Sequence, residues 1–444
     1  MKFKELKLSE DIIKAIDKMG YVEATEIQTL AIPKILENKD VIGLAQTGTG
    51  KTAAFSLPII DKMIRTSKPD KIIKFLIISP TRELAVQIKE NIIKYTEETN
   101  FKCSVILGGV NQDSQKRVLK NGIDILVATP GRLVDLINQN KADLSNVEYL
   151  VLDEADTMLD MGFIKDVKFI INRTKKNRQT LLFSATMPKE IKELTTSIMN
   201  NPVTIKTKVE KVTADKIVEE LYFVDTKNKT NLLMELISTV EKPTTLIFTR
   251  TKHGANDLAD KLALYKIKTS IIHGNKSQSN RVKALSDFKS GKTRIMIATD
   301  IAARGIDIAN LGLVINYDVP EKAEIYVHRI GRTARAGKAG KSLMLCSSKE
   351  LNDLKSIEKL INHNINIIEH KYPMVELEKK EKRISKSSSK NKFSKNSIAN
   401  NGNKKDFESN KTNKKSNSNN FSKNKSFKKH TSLTNGRSNY RKSK

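Results

Sequence analysis

Short apolar runs alternate along the chain with longer stretches in which apolar positions recur every three or four residues. KFLIIS (74–79), CSVILG (103–108), DILVAT (124–129), EYLVLD (148–153) and QTLLFS (179–184) have the length and β-branched content of buried strands. Each leads into a helical pattern, as in RELAVQIKENIIKYTEE. Strand–helix alternation predicts βαβ units, and so a parallel sheet covered by helices on both faces. Around NPVTIKTKVEKVTADK (201–216) the pattern gives way to polar residues, read as a hinge. It resumes with TTLIFT (244–249), KTSIIH (268–273), TRIMIAT (293–299), LGLVIN (311–316) and KSLMLC (341–346). The expected fold class is α/β, with two lobes in series over 30–205 and 217–368 and a linker over 206–216.

From residue 369 the periodicity is lost. Residues 381–444 hold 27 Ser and Asn and only 4 Ala, Val, Ile, Leu or Met. So little apolar surface cannot offset chain entropy, which predicts a disordered tail over 369–444. The same 64 residues carry 19 Lys/Arg against 3 Asp/Glu, a net +16 of the chain's +30. A basic chain with a basic tail points to a polyanionic partner, nucleic acid before an anionic membrane. Cys103 and Cys346 stand alone within apolar runs and read as buried free thiols rather than a metal or redox site. MKFKELKLSEDI lacks the apolar core of a signal peptide, and no run reaches the ~18 apolar residues that span a bilayer. The expectation is a cytoplasmic protein without membrane contact.

Three separated motifs carry chemistry. AQTGTGKT, residues Ala45, Gln46, Thr47, Gly48, Thr49, Gly50, Lys51 and Thr52, fits a P-loop between a strand-like and a helix-like run. Its glycines let backbone N–H groups close on phosphate, Lys51 suits the β- and γ-phosphates, and Thr52 suits Mg²⁺. Asp153 and Glu154 emerge from EYLVL at a strand's C-terminal end, where open α/β sheets bind ligands. Asp153 is the candidate metal ligand and Glu154 the candidate base for an attacking water, although the pair could also cap a helix. Arg332 and Arg335, in HRIGRTARAG, could neutralise a transferring phosphoryl group. Arg329 reads as part of a solvated basic face. Because these arginines lie in the second lobe, chemistry would require the lobes to close.

Together these residues resemble the DEAD-box ATP-dependent RNA helicases of superfamily 2, with GGVNQD (108–113) and LDMGFIKDV (159–167) most similar to the bacterial RhlE-like subgroup. The resemblance covers residues 1–365 and implies two tandem RecA-like lobes, with ATP, Mg²⁺ and RNA as ligands. It implies a Q-motif region over 1–29, in which Gln28 reads adenine, Thr25 supports the loop and Phe3 stacks on the base; Ala24 stands where proline is usual. It implies RNA-backbone contacts from Thr81, Arg82, Gly108, Gly109, Thr129, Pro130, Gly131 and Arg132 in the first lobe. In the second lobe it implies them from Arg250, Gln278, Arg281, Thr299 and Asp300. Asp307 would hold the ribose, and Asp156, Ser184, Thr186 and His328 would couple hydrolysis to strand separation. Ala334 replaces a usual glycine. Ribosome-assembly or RNA-degradation complexes are the implied protein partners.

If ATP and RNA each bridge the lobes, both favour closure and bind cooperatively. A closed cleft that accepts only a bent single strand would open short duplexes. Two other readings share parts of this pattern: an ATP-gated RNA clamp that seldom unwinds, and a DNA-directed motor.

Overall fold

The computed structural model describes residues 1–46, 48–207, 217–239, 243–303, 311–333 and 340–374. Thr47, most of the expected linker, Asp307, Ala334, Arg335 and the tail from residue 375 lie outside the described residues.

The first half builds a seven-stranded parallel sheet from β1 (Val41–Leu44), β2 (Phe75–Ile78), β3 (Cys103–Ile106), β4 (Ile125–Ala128), β5 (Tyr149–Leu152), β6 (Gln179–Ser184) and β7 (Val203–Lys206). The second half repeats it with β8 (Ile217–Phe223), β9 (Thr245–Phe248), β10 (Thr269–Ile272), β11 (Ile295–Ala298), β12 (Leu313–Asn316), β13 (Gly340–Cys346) and β14 (Asn366–Ile367). The strand orders are β3-β4-β2-β5-β6-β1-β7 and β10-β11-β9-β12-β13-β8-β14. Adding seven to each strand number of the first sheet gives the second. One RecA-like topology is therefore built twice, from sequences with no visible residue-level repeat.

β2, β4, β5 and β6 are buried along their whole length, as expected of strands covered on both faces. One apolar layer joins the Lys51–Thr66 and Arg82–Tyr95 helices to the sheet, and a second lies on the other face. Phe55 and Phe183 meet in the first layer with ring centroids 5.4 Å apart. Gly43 makes room for them, since a Cβ there would come within 2.5 Å of the Phe183 ring. β7, β8 and β14 were not visible as strands in the sequence. β7 is an edge strand with two exposed positions, β14 spans two exposed residues, and β8 interrupts its apolar run with Glu219 and Glu220. Sheet pairing, not hydrophobic patterning, makes them strands.

Candidate nucleotide and RNA site

The P-loop leaves β1 and opens the helix Lys51–Thr66. Gly50 sits at φ +89°, a conformation that favours glycine, and Gly48 at φ +87°. The two acids leave β5, separated from β1 only by β6. Glu154 is not a side-chain cap of the following Ala155–Asp160 helix. It is a left-handed residue at φ 49°, ψ 54°, a strained conformation for a non-glycine that the fold maintains at the sheet edge.

Lys51 is 6 % exposed, and its Nζ is buried without a hydrogen-bond partner among the described residues. Asp153 is 2 % exposed; burial pushes its carboxyl up to about 7, while the Lys51 ammonium pulls it down. These groups share a cavity of about 650 Å³ with Thr52, Glu154, Phe3, Tyr21, Thr25 and Gln28. The Gln28 side chain accepts from Thr25 N (2.9 Å) and donates to Gly50 O (3.1 Å), which ties this segment to the P-loop. An amide has four hydrogen-bonding positions, so one N–H and one lone pair remain for a base edge. Phe3 is only 3 % exposed and stacks on Tyr21 (centroids 6.2 Å, planes 26° apart), so the more open face of this aromatic pair belongs to Tyr21.

At the corresponding place in the second lobe, the described residues fill the cradle themselves. Lys229 opens the helix after β8 as Lys51 opens the one after β1. Its Nζ, however, donates to Glu350 Oε2 and Tyr317 O, both at 2.7 Å. A carboxylate of the chain fills the position that an anion would need.

Asp156, Ser184 and Thr186 meet as the sequence suggests. Asp156 Oδ2 accepts from Ala185 N (3.2 Å), Thr186 N (2.9 Å) and Thr186 Oγ1 (2.9 Å), and Asp156 N donates to Ser184 Oγ (3.2 Å). His328 lies near the end of the Ala323–Ile330 helix, with Arg332 just beyond it. Arg82 lies against the glycine pair, since a Cβ on Gly109 would come within 2.1 Å of its Nη1. Arg132 donates to Val110 O (3.2 Å) from the helix that begins at Pro130 behind Thr129. Thr81 caps the Arg82–Tyr95 helix by accepting from Leu84 N at 3.3 Å. Gly131 faces open space.

One second-lobe expectation is corrected, and the structure places the other described residues. Arg329 does not lie on a solvated face: it is 1 % exposed, with Nε and Nη2 on the two Asp300 oxygens at 2.6 and 2.8 Å. Both Asp300 oxygens are thereby engaged by Arg329. Arg250 donates to Val319 O (2.9 Å) and has Glu350, Asp353 and Glu321 around it. Arg281 and Gln278 both reach Glu83 of the first lobe, at 2.7 and 3.3 Å. Glu83 lies inside PTRELAVQ, and its position next to Arg82 was the available signal for this role. Thr299 is half-buried beside Asp300.

A DEAD/DEAH box helicase model matches residues 25–194, and a helicase conserved C-terminal domain model matches 228–337. The chain is 45 % identical over 362 residues to the ATP-dependent RNA helicase CshA of Limosilactobacillus reuteri, covering 81 % of this chain and 72 % of that protein. It is 43 % identical over 357 residues to the DEAD-box ATP-dependent RNA helicase CshA of Geobacillus kaustophilus, covering 80 % and 76 %. These relatives bear the name CshA, whereas GGVNQD and LDMGFIKDV suggested the RhlE-like subgroup. Among solved structures, S. cerevisiae Dbp5 bound to RNA and ADP BeF3 is similar at TM-score 0.72 and 30 % identity, covering 87 % of this chain and 99 % of that one. Mss116p bound to ssRNA and AMP-PNP is similar at TM-score 0.73 and 31 % identity, covering 83 % and 79 %. With two tandem RecA-like sheets, and a P-loop and an Asp–Glu pair at the ends of strands separated by one other, the chain belongs to the DEAD-box family of ATP-dependent RNA helicases.

Proposed function

We propose that this helicase hydrolyses MgATP between residues 30–205 and 217–368 and uses the resulting closure and reopening to separate short RNA duplexes. The observation that carries this reading is the buried Lys51 Nζ, without a hydrogen-bond partner among the described residues, in one cavity with Asp153, Glu154 and Gln28. A buried cation without a hydrogen-bond partner is costly, and a phosphate oxygen would satisfy it. Gly48, Thr49 and Gly50, with Ala45, Gln46 and Thr47, would wrap the phosphates, and Lys51 would reach their far end. Thr52 and Asp153 would hold Mg²⁺. Among the described residues no group of three or more His, Cys, Asp or Glu side chains forms a metal cage. Mg²⁺ suits such a sparse site, because it keeps waters and takes phosphate oxygens alongside one or two protein ligands.

Glu154 would orient and deprotonate the attacking water, with Arg332 and Arg335 neutralising the transferring phosphoryl group. Gln28 and Thr25 would recognise adenine beside Phe3 and Tyr21, and Asp307 would bind ribose. Asp156, Ser184, Thr186 and His328 would link the two events. RNA phosphates would lie along Arg82, Gly108, Gly109, Thr129, Pro130, Gly131 and Arg132. Gln278, Arg281 and Thr299 would complete that path from the second lobe. The nearly cysteine-free composition suits the cytoplasm, where ribosome-assembly or RNA-degradation complexes are the candidate protein partners.

The test is ATP hydrolysis with RNA, with matched DNA and without nucleic acid, beside strand displacement of a short duplex. Stimulation by RNA but not DNA, with displacement that needs ATP, supports the reading. ATP-gated retention of RNA without displacement would identify a clamp instead.

A further inference from the structure

Two lining residues of the nucleotide cavity carry a buried donor with no hydrogen-bond partner among the described residues: Lys51 at Nζ and Gln87 at Nε2. The first has an assigned task. The second belongs to the helix Arg82–Tyr95, whose Leu84, Gln87, Asn91 and Tyr95 line the cavity at spacings that keep them on one helical face. That helix follows β2, the immediate neighbour of β5, from which Asp153 and Glu154 emerge. Its last residue, Tyr95, faces the aromatic end of the cavity, since Tyr21 is among the groups that raise its hydroxyl pKa. Gln87 lies eight positions earlier, roughly 12 Å back along the axis at 1.5 Å per residue, which places it toward the phosphate end.

An unpaired buried amide costs stability in the free protein and gains when an acceptor arrives. We propose that Gln87 donates its side-chain N–H to a phosphate oxygen of the bound nucleotide, so that ATP grips the helix whose first turn holds Arg82 and Glu83. Nucleotide binding then fixes the RNA-facing end of that helix within the first lobe itself. This inference rests on the nucleotide site proposed above.

The test uses the full-length chain with Gln87→Leu, a variant of similar size that lacks the donor, and with Lys51→Ala as the control for the site. Loss of a hydrogen bond to a charged oxygen should weaken MgATP binding about tenfold or more. Because the leucine removes an unpaired donor, the nucleotide-free variant should unfold at or above the parental temperature. A side chain that only braces the fold would lower it. RNA affinity without nucleotide should stay parental, while the gain in RNA affinity caused by ATP shrinks, and by the same factor as the gain in ATP affinity caused by RNA. Weakened ATP binding with unchanged ADP binding places the contact on the γ-phosphate; equal weakening of both places it on the α- or β-phosphate. Unchanged affinity for both nucleotides in Gln87→Leu, beside a large loss in Lys51→Ala, overturns the proposal. If Lys51→Ala also binds MgATP normally, the nucleotide site itself is misplaced and the proposal falls with it.

Discussion

Replacing Arg329 by alanine is the perturbation whose cost the structure defines most fully. The guanidinium donates twice to Asp300, once to Asn316 Oδ1 (3.0 Å) and once to Asp318 O (2.7 Å), and its centre stands 4.8 Å from the Phe248 ring centroid. Arg329→Ala would leave the Asp300 carboxylate and the buried Asn316 without their partner. Breaking a buried ion pair from one side costs about 3–5 kcal/mol, against about ±0.5 kcal/mol for a surface arginine. Arg329→Lys keeps the charge but loses the planar fork and should recover only part of that loss.

The assay is urea unfolding followed by a probe in the second lobe, because two lobes need not unfold in one step. Arg329→Ala should lower the second-lobe midpoint strongly and leave the first-lobe transition in place. In a double-mutant cycle, Asp300→Ala should add little once Arg329 is gone. A loss below ~1 kcal/mol, or full additivity of the two substitutions, would return Arg329 to the solvated face and refute the buried pair.

Gly109→Ala should reduce RNA affinity by displacing Arg82 and straining a residue at φ +71°, with MgATP binding unchanged, as read by RNA titration with and without nucleotide. Glu83→Gln removes the charge that meets Arg281 and Gln278, so RNA-stimulated turnover should fall while RNA-free ATP binding stays parental. Burial pushes the Cys103 and Cys346 thiols up to about 12, so both stay protonated through pH 7–9. Alkylation of the native protein at pH 8 should therefore be slow and become fast in denaturant.

The sequence made the sheets and the P-loop legible because buried parallel strands are unbroken apolar runs and phosphate cradles need glycines at fixed spacing. Asp156 stands far from Ser184 and Thr186 in the sequence and shares hydrogen bonds with them in the fold. The sequence reading misread Arg329, because an arginine shows its charge in the sequence but not its partner, and Asp300 stands 29 positions away. The acidic neighbours of Arg250 were hidden for the same reason: Glu321, Glu350 and Asp353 come from later segments. Lys229 was passed over because no glycines surround it. Only the repeated strand order shows that it occupies the position of Lys51.

The most direct test of the central claim is single-turnover ATP hydrolysis by Glu154→Gln at saturating RNA. The glutamine keeps the shape of the left-handed residue at the end of β5 but cannot accept a proton from water. General-base catalysis contributes about 10²–10⁴-fold, so turnover should fall by at least ~10²-fold while MgATP and RNA still bind and hold each other. Turnover near the parental rate, with both ligands bound, would contradict the assignment of hydrolysis to this acid pair.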